Sequence, residues 1–376
     1  MSRASTKEPL IHITRRSTIA PWKGIVIRIA AIVVAFLLCS MLAYFLIGAK
    51  PADFLINFFQ GLFGINRMSA NIRLWMLAKD TAILLLIALA LTPAFRMKFW
   101  NIGAEGQVLI SALAAAAVTY YFGDKLAKSE WLLLLLMLAA SITAGIIWAV
   151  IPAIFKALWN SNETLFTLMM NYVATYFVAF CLVKWTPDSS SVLGILDHGH
   201  LPTLGNDYIL ILIFTLITTV FMFVYLNYSK PGYEISVVGE STRTARYIGI
   251  NVKKVIIRTM ILTGTICGLT GFLLVAALDH SVTATSVGGL GFTAIIVAWL
   301  AKFNPFVMIL TSLLLAALNQ GAGQITSSFS VSTALPDVMI GIILFFVIGC
   351  EFFIRYSIHF RKKAHTSVVQ EKGDES

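Results

Sequence analysis

The chain has 376 residues, of which 58% are hydrophobic and only 12% are charged, and its mean hydropathy is +0.85. A soluble domain carries about 25% charged residues because its surface faces water, so this composition excludes an ordinary soluble protein and indicates membrane lipid as a partner. The formal charge of +10 does not indicate nucleic-acid binding. On the predicted topology, about 21 of the 28 Lys and Arg lie on one side of the membrane and about 7 on the other, which is the bias that orients membrane proteins.

The hydropathy pattern predicts an all-α fold, a polytopic transmembrane helical bundle of about 10 spans. A span needs about 20 mostly apolar residues to cross a bilayer core that is about 30 Å thick. The first apolar run is longer than the core of a cleaved signal peptide, so we expect a first helix there. The eighth segment is too short to cross alone, which leaves eight crossings as an alternative. The predicted spans are 24–47, 72–94, 101–122, 131–155, 164–186, 208–228, 257–279, 290–301, 305–321 and 336–355.

Basic residues concentrate in alternate loops, which predicts that both termini lie in the cytoplasm. The membrane would then be the cytoplasmic (inner) membrane of a bacterium, crossed many times. We expect a cytoplasmic N-terminal segment at 1–23, a transmembrane domain at 24–357 and a cytoplasmic tail at 358–376. The tail is polar and is predicted to be disordered. No separate soluble domain is predicted.

The predicted cytoplasmic segment 229–256 is far longer than a connection between two neighbouring helices needs to be. Within it, Ser241 or Thr242 can cap a short helix that Gly249 ends. A short helix held outside the bilayer can be gripped by a moving subunit. Alternatively, it is an amphipathic surface helix whose basic residues face anionic lipid.

The third predicted span opens with Trp-Asn-Ile-Gly-Ala-Glu-Gly-Gln, which contains two glycines that we expect to interrupt the helix. Glu105 and Gln107 are costly if they face lipid, and an ionisable residue at membrane depth is a functional candidate. Interrupted helices tend to line substrate cavities, which favours Asn101, Glu105 and Gln107 as cavity residues. The alternative is that Glu105 is interfacial and paired with Arg96 or Lys98.

Two further polar groups lie inside predicted spans. Asn171 must find a partner on a neighbouring helix or on a solute, so structural and pathway roles both remain open for it and for the adjacent Tyr172. Lys79 and Asp80 are adjacent in the outer half of the second span. They can line a cavity, or they can form a snorkelling lysine with a nearby carboxylate.

The sequence does not predict an enzyme. No Gly-Lys pair occurs anywhere, which excludes ATP hydrolysis by a P-loop in this chain. The four cysteines lie far apart within apolar runs, so they indicate neither a zinc site nor a disulfide framework. The run Asp197-His198-Gly199-His200 is a short cluster without further ligands, so no metal site is predicted.

Several of these segments together resemble one known family. The motif Asn101-Ile-Gly-Ala-Glu-Gly-Gln107 is similar to the signature of permeases in nucleoside and simple-sugar ABC importers, within the broader ribose and branched-chain amino acid permease group. Further segments that resemble the family occur in its order, and they span most of residues 70–355. They are 163–172, 239–251, 289–292 and 304–305.

The resemblance implies a permease subunit with a type II-like ABC importer fold and alternating access. It implies three partners: a second homologous permease, a cytoplasmic ATP-binding subunit and an extracytoplasmic solute-binding protein, which we expect near the 187–206 loop. No cofactor is expected on this chain, because ATP and Mg belong to the partner ATPase. The expected cargo is a nucleoside, with simple sugars second; an ion-coupled secondary transporter and a membrane-embedded enzyme are the rival classes.

The resemblance also implies site residues. Segment 229–256 would be the coupling loop, and within it 239–251 would dock on the ATPase through Gly239, Glu240, Arg243, Arg246, Tyr247 and Gly249. The substrate pathway would be lined by Asn101, Glu105, Gln107, Asn171 and Tyr172.

Overall fold

The computed structural model describes residues 11–15, 20–65, 67–186, 192–203, 205–332 and 334–360. The predicted tail lies outside these residues except for its first three positions. The all-α architecture of a polytopic membrane protein is confirmed, with one small two-stranded sheet added to it. The long apolar stretches of the chain become helices because a bilayer leaves backbone groups no other partner than their own chain.

Most elements follow one another closely, and a longer segment, 186–208, separates α6 from α7. The first half contains β1 (Ile11–Arg15), α1 (Pro21–Ile47), α2 (Pro51–Phe63), α3 (Arg67–Arg96), α4 (Ala104–Leu126), α5 (Glu130–Trp159) and α6 (Glu163–Trp185). The second half contains α7 (Ile209–Tyr228), α8 (Lys230–Glu240), α9 (Thr242–Tyr247), α10 (Val252–Leu273) with a π-helical turn (Leu274–Asp279), α11 (Leu290–Leu300), α12 (Pro305–Phe329), α13 (Ala334–Arg355) and β2 (Tyr356–Phe360).

Within the described ranges, nine helices are long and apolar enough to cross a membrane. They correspond to all of the predicted spans except the eighth. That segment is α11, an apolar helix of 11 residues, which is too short to cross a bilayer core at about 1.5 Å per residue. The expected short helix is therefore present, and α3 begins at Arg67 rather than at position 72.

The chain divides into two compact units, and the terminal unit consists of residues 1–58 and 322–376. In it, α1 packs against α13, and the Cys39 thiol lies 3.6 Å from the carbonyl oxygen of Met339. Strands β1 and β2 pair antiparallel, with Ile11 opposite Phe360 and Arg15 opposite Tyr356. The strand before α1 and the strand after α13 therefore pair with each other.

The central unit, residues 59–321, is built on close contact between α4, α5 and α10. Gly145 of α5 faces Gly264 of α10, and a Cβ added at either would lie 2.5 Å from the carbonyl oxygen of the other. The Ser141 hydroxyl lies 2.9 Å from the Ser111 carbonyl and 2.8 Å from that of Gly268. Small residues and a shared hydroxyl let these backbones approach, which is how helices associate without a hydrophobic driving force.

We expect the substitution Gly145→Ala to destabilise the central unit by about 1–3 kcal/mol, the usual cost of overpacking. The new methyl group would overlap with backbone atoms of α10, which cannot move aside as a flexible side chain can. Thermal unfolding of the purified protein in detergent measures the effect. Gly349→Ala is the matched control, because nothing lies within 4 Å of its added Cβ; equal melting temperatures for the two variants would contradict the prediction.

Candidate functional site

The segment 229–256 folds as two short helices and the start of α10. Each of these three helices begins at a residue whose side chain accepts a hydrogen bond from the first-turn backbone: Ser229 for α8, Ser241 for α9 and Asn251 for α10. The predicted short helix with Ser241 as its cap is therefore present. Gly249, with a φ of +85°, follows its end, as glycine commonly does after a helix.

Helix α8 is fastened to three longer helices. The Arg258 guanidinium of α10 donates to the Glu234 carboxylate of α8 at 2.9 Å. Gly232 of α8 packs closely on the end of α7, where an added Cβ would overlap with the Tyr225 carbonyl oxygen. Gly239 of α8 packs so closely on α3 that an added Cβ would overlap with the Arg96 carbonyl oxygen. A displacement of α8 must therefore be transmitted to the membrane helices.

Helix α9 has one buried and one exposed side. Ala245 is fully buried in an apolar cluster that includes Ile235, Val238 and Met260. On the other side Tyr247 is 92% exposed, and the two arginines predicted at the surface are exposed as well. Glu240 is also exposed. We name the α8–α9 pair the cytoplasmic platform, following the predicted orientation of this loop.

A groove of about 440 Å³ lies beside the cytoplasmic platform. It is bordered by the end of α3, the junction between α5 and α6, and the residues from Val238 to Arg243. At the junction, Lys156 and Glu163 form an ion pair of 2.9 Å. A protein partner that contacts α9 would therefore also reach charged groups on the neighbouring helices.

The structure brings three of the predicted pathway residues into one buried network. The Asn171 side-chain amide donates to the Ile102 carbonyl at 2.9 Å, and its oxygen accepts from the Gly106 backbone at 2.9 Å. Gln107 donates to the Asn101 oxygen at 3.3 Å. These contacts hold α6 against the start of α4, so each side chain is engaged with the protein itself. A role in the pathway stays a prediction for all three.

The expected interruption of the third span is not found within the helix. Helix α4 begins at Ala104, after Gly103, and runs through Gly106 without a break. The missing side chain of Gly106 instead makes room for Asn171, whose oxygen and Cα would lie 3.0–3.1 Å from an added Cβ. Tyr172 lies beyond the network and is 62% exposed. Its pathway role also stays a prediction.

Glu105 does not pair with Arg96 or Lys98, which was one of the two expectations for it. Its two carboxylate oxygens each accept a backbone hydrogen bond of 2.8 Å, one from Gly289 and one from Gly291. Glu105 thus caps α11 from another helix, because Gly289 immediately precedes α11 and Gly291 lies in its first turn. A carboxylate is favoured there by the positive end of the helix dipole.

Lys79 and Asp80 form an ion pair of 3.0 Å, and both line a polar cavity that also contains Asp279 and Asn319. Sequence reasoning missed the last two residues. Asp279 stands at the end of a predicted span, where a carboxylate is usually interfacial, and Asn319 stands beside Gln320 near the end of another. Their proximity to Lys79 depends on how the helices are arranged, which local sequence reasoning does not supply.

The described part of the predicted outer loop, 192–203 and 205–206, is attached to the π-helical turn and to the segment after it. Backbone N–H groups of Leu193, Leu196 and Leu201 donate to the carbonyls of Val282, His280 and Ala276, at 2.8–3.2 Å. The Nδ1 atoms of His200 and His280 lie 2.8 Å apart. Such a pair holds one proton between two rings, so at least one ring is neutral.

Comparison with known proteins gives independent evidence on the family of this chain. Residues 74–348 match the family described as branched-chain amino acid transport system / permease component. The guanosine ABC transporter permease protein NupP of Bacillus subtilis is 30% identical over 288 residues, which cover 74% of this chain and 81% of that protein. The glucose ABC transporter permease protein TsgB13 of Haloferax volcanii is 28% identical, covering 73% and 76%. The nucleoside ABC transporter permease protein NupB of Lactococcus lactis is 25% identical, covering 78% and 83%.

We expect Glu105→Gln to lower the free energy of unfolding by about 1–3 kcal/mol, because the new amide nitrogen would face one of the two N–H groups and leave it without an acceptor. Thermal unfolding in detergent measures the loss. Glu130→Gln serves as the control, since Glu130 is an exposed carboxylate in the first turn of α5. A Glu105→Gln variant with the same melting temperature as the wild type and the control would contradict the capping role.

We expect acidification to loosen the attachment of the outer loop. Burial, and then the neighbouring His200, lower the pKa of His280, against the opposing effects of Asp207 and Asp279. Below the ordinary histidine pKa of about 6.5, the detached loop therefore binds more protons than the attached one. The attachment of the loop is thus stable above that pH and weakens as the pH falls.

Hydrogen–deuterium exchange of residues 193–201 at pH 7.5 and pH 5, corrected for intrinsic rates, measures this attachment. We expect faster exchange at pH 5, and we expect His280→Asn to remove the pH dependence, because Asn tolerates the left-handed φ of +48° found there. His198→Asn is the control, since His198 faces Asp124 at 3.5 Å. Protection that does not change with pH would contradict the prediction.

Proposed function

This chain belongs to the family described as branched-chain amino acid transport system / permease component, and we propose that it is the pathway-forming permease of an ATP-driven importer of nucleosides. The proposal of nucleosides is supported by the relatives named for guanosine and for nucleosides. Simple sugars are the second candidate cargo, because a relative named for glucose is nearly as similar.

The observation that carries the ATP-driven mechanism is the cytoplasmic platform. Its buried side is fastened to α3, α7 and α10, whereas Arg243, Arg246 and Tyr247 are exposed. This is the arrangement that a motor subunit needs in order to move membrane helices. In our proposal Gly239, Glu240 and Gly249 shape the platform, the ATPase grips its exposed side, and the cycle exposes the pathway to each side in turn. ATP and Mg remain on the ATPase.

An ion-coupled secondary transporter is the weaker candidate, because it works alone and has no use for a rigid exposed platform.

An importer of the proposed kind needs two further partners. A solute-binding protein would dock outside, near the attached loop at 192–203, and a second homologous permease would complete the pathway.

We propose that the protein spans a bacterial cytoplasmic membrane with both termini in the cytoplasm. The pairing of β1 with β2 supports this placement, because it joins the chain before α1 to the chain after α13. An even number of crossings follows, so α11 would contribute a tenth crossing together with its flanking residues, or one long helix would not cross. The basic residues at both ends favour the cytoplasmic side.

We expect the combined substitution Arg243→Ala, Arg246→Ala and Tyr247→Ala to reduce nucleoside uptake about tenfold or more, because Arg and Tyr are the residues that most often dominate protein interfaces. Uptake of labelled guanosine by cells that express the whole transporter measures the effect. Tyr176→Ala, which removes a 73% exposed aromatic ring of α6, is the matched control.

The energy source is tested in the same cells. We expect uptake to stop when the partner ATPase is inactivated and to continue when an uncoupler is added while ATP is maintained. Uptake that stops with the uncoupler alone would show an ion-coupled transporter and would overturn the proposal.

A further inference from the structure

A polar cavity of about 350 Å³ lies within the central unit. Its walls come from α3, the π-helical turn, the segment before α11, α11 itself and α12. Its volume lies within the range of small-molecule sites, about 300–1,000 Å³. The polar lining consists of Lys79, Asp80, Asp279, Ser286, Thr293 and Asn319.

The cavity gathers charge at membrane depth. Lys79 lies 17 residues before the end of α3 at Arg96, which is roughly 25 Å along a helix. Lys79 and Asp80 are paired at 3.0 Å, and Asp279 lies within electrostatic reach of both. One cation and two carboxylates leave a formal charge of −1. Ionisable groups are costly at this depth, so their collection around one cavity indicates a function.

The cavity differs from the Asn101–Asn171 network in how its polar groups are engaged. The Asp279 carboxylate and the Asn319 side-chain amide make no hydrogen bond with any residue that the structure describes, and Lys79 has one ionic partner there. In the network, by contrast, Asn171 uses both its amide and its oxygen on backbone groups. Both residues are exposed, so their polar groups are open to a solute that enters the cavity.

We propose that this cavity is the solute site within the membrane and that it holds an uncharged, polyhydroxylated solute through Asp279 and Asn319. This inference rests on the proposed function and names the site at which that function is carried out. The two oxygens of a carboxylate can accept from two adjacent hydroxyl groups, such as those of a ribose ring. The Asn319 amide can both donate to and accept from a second part of the solute.

The charge of the cavity sets its specificity. A net negative lining repels phosphorylated solutes, which are anions, and leaves neutral nucleosides and sugars acceptable. The Glu105 cap contributes indirectly to the wall of the cavity. It fixes Gly289 and Gly291, and these flank Leu290, which together with Gly288 and Thr293 forms part of the wall.

The first test is uptake by cells that express the whole transporter. We expect Asp279→Asn to reduce guanosine uptake about tenfold or more, because a hydrogen-bonded charge is lost. Uptake of 2′,3′-dideoxyguanosine, which lacks both hydroxyl groups, should change less than about twofold. Asp53→Asn, at an exposed carboxylate in α2, should leave both unchanged. Equal loss for the two solutes, or no loss, would overturn the role of Asp279.

The second test does not depend on transport. We expect the Asn319→Cys variant to react with a charged, water-soluble thiol reagent, above the level of the parent chain with its four native cysteines. Guanosine should slow that reaction several-fold, whereas guanosine monophosphate should not. Absence of labelling, or labelling that guanosine leaves unchanged, would overturn the site.

The proposed cargo and the proposed solute site would be overturned by different results. Wild-type cells that take up glucose but no guanosine would overturn the nucleoside cargo, and a loss of glucose uptake in Asp279→Asn would then still support the site. Wild-type guanosine uptake that neither Asp279→Asn nor Asn319→Ala alters would overturn the site and leave the proposed function intact.

Discussion

The placement of α11 within the central unit depends on one carboxylate. A helix as short as α11 begins with backbone N–H groups that have no partner in their own helix, and inside a membrane protein these groups are costly to leave unsatisfied. Glu105 supplies two acceptors to them from the start of α4. The start of α4 is in turn held by Asn171 of α6. The start of α11, and with it one wall of the polar cavity, is therefore held by a chain of polar contacts, in addition to the packing of Trp299 on Phe95 and Trp100.

Polar residues inside this protein fall into two classes that composition cannot separate. Asn171 and Gln107 satisfy backbone or side-chain groups of neighbouring helices, so they act as structural links. Asp279 and Asn319 face a cavity instead. Both classes lie within predicted apolar spans. Only the three-dimensional arrangement shows whether a hydrogen-bonding group is already engaged.

The sequence was sufficient for features that depend on local chemistry. Long apolar runs predicted the spanning helices, the 11 residues of α11 were too few to cross, and Ser241 and Gly249 marked the ends of α9. It was insufficient where the partner is distant in sequence. Glu105 and Gly289 are 184 residues apart, so local reasoning offered only Arg96 and Lys98 as partners. For the same reason the motif around Gly106 was interpreted as a helix break, although it accommodates Asn171 from another helix.

The pairing of α1 with α13 has a consequence for the order of assembly during synthesis. Cys39 and Met339, which meet in that pair, are 300 residues apart, so at about 5–20 residues per second α1 waits roughly 15–60 s for its partner. The central unit is continuous in sequence and is completed during that interval. The terminal unit can form only after α13 has been made, and its two-stranded sheet only after β2. Until then α1 needs lipid or another protein to cover its apolar surface.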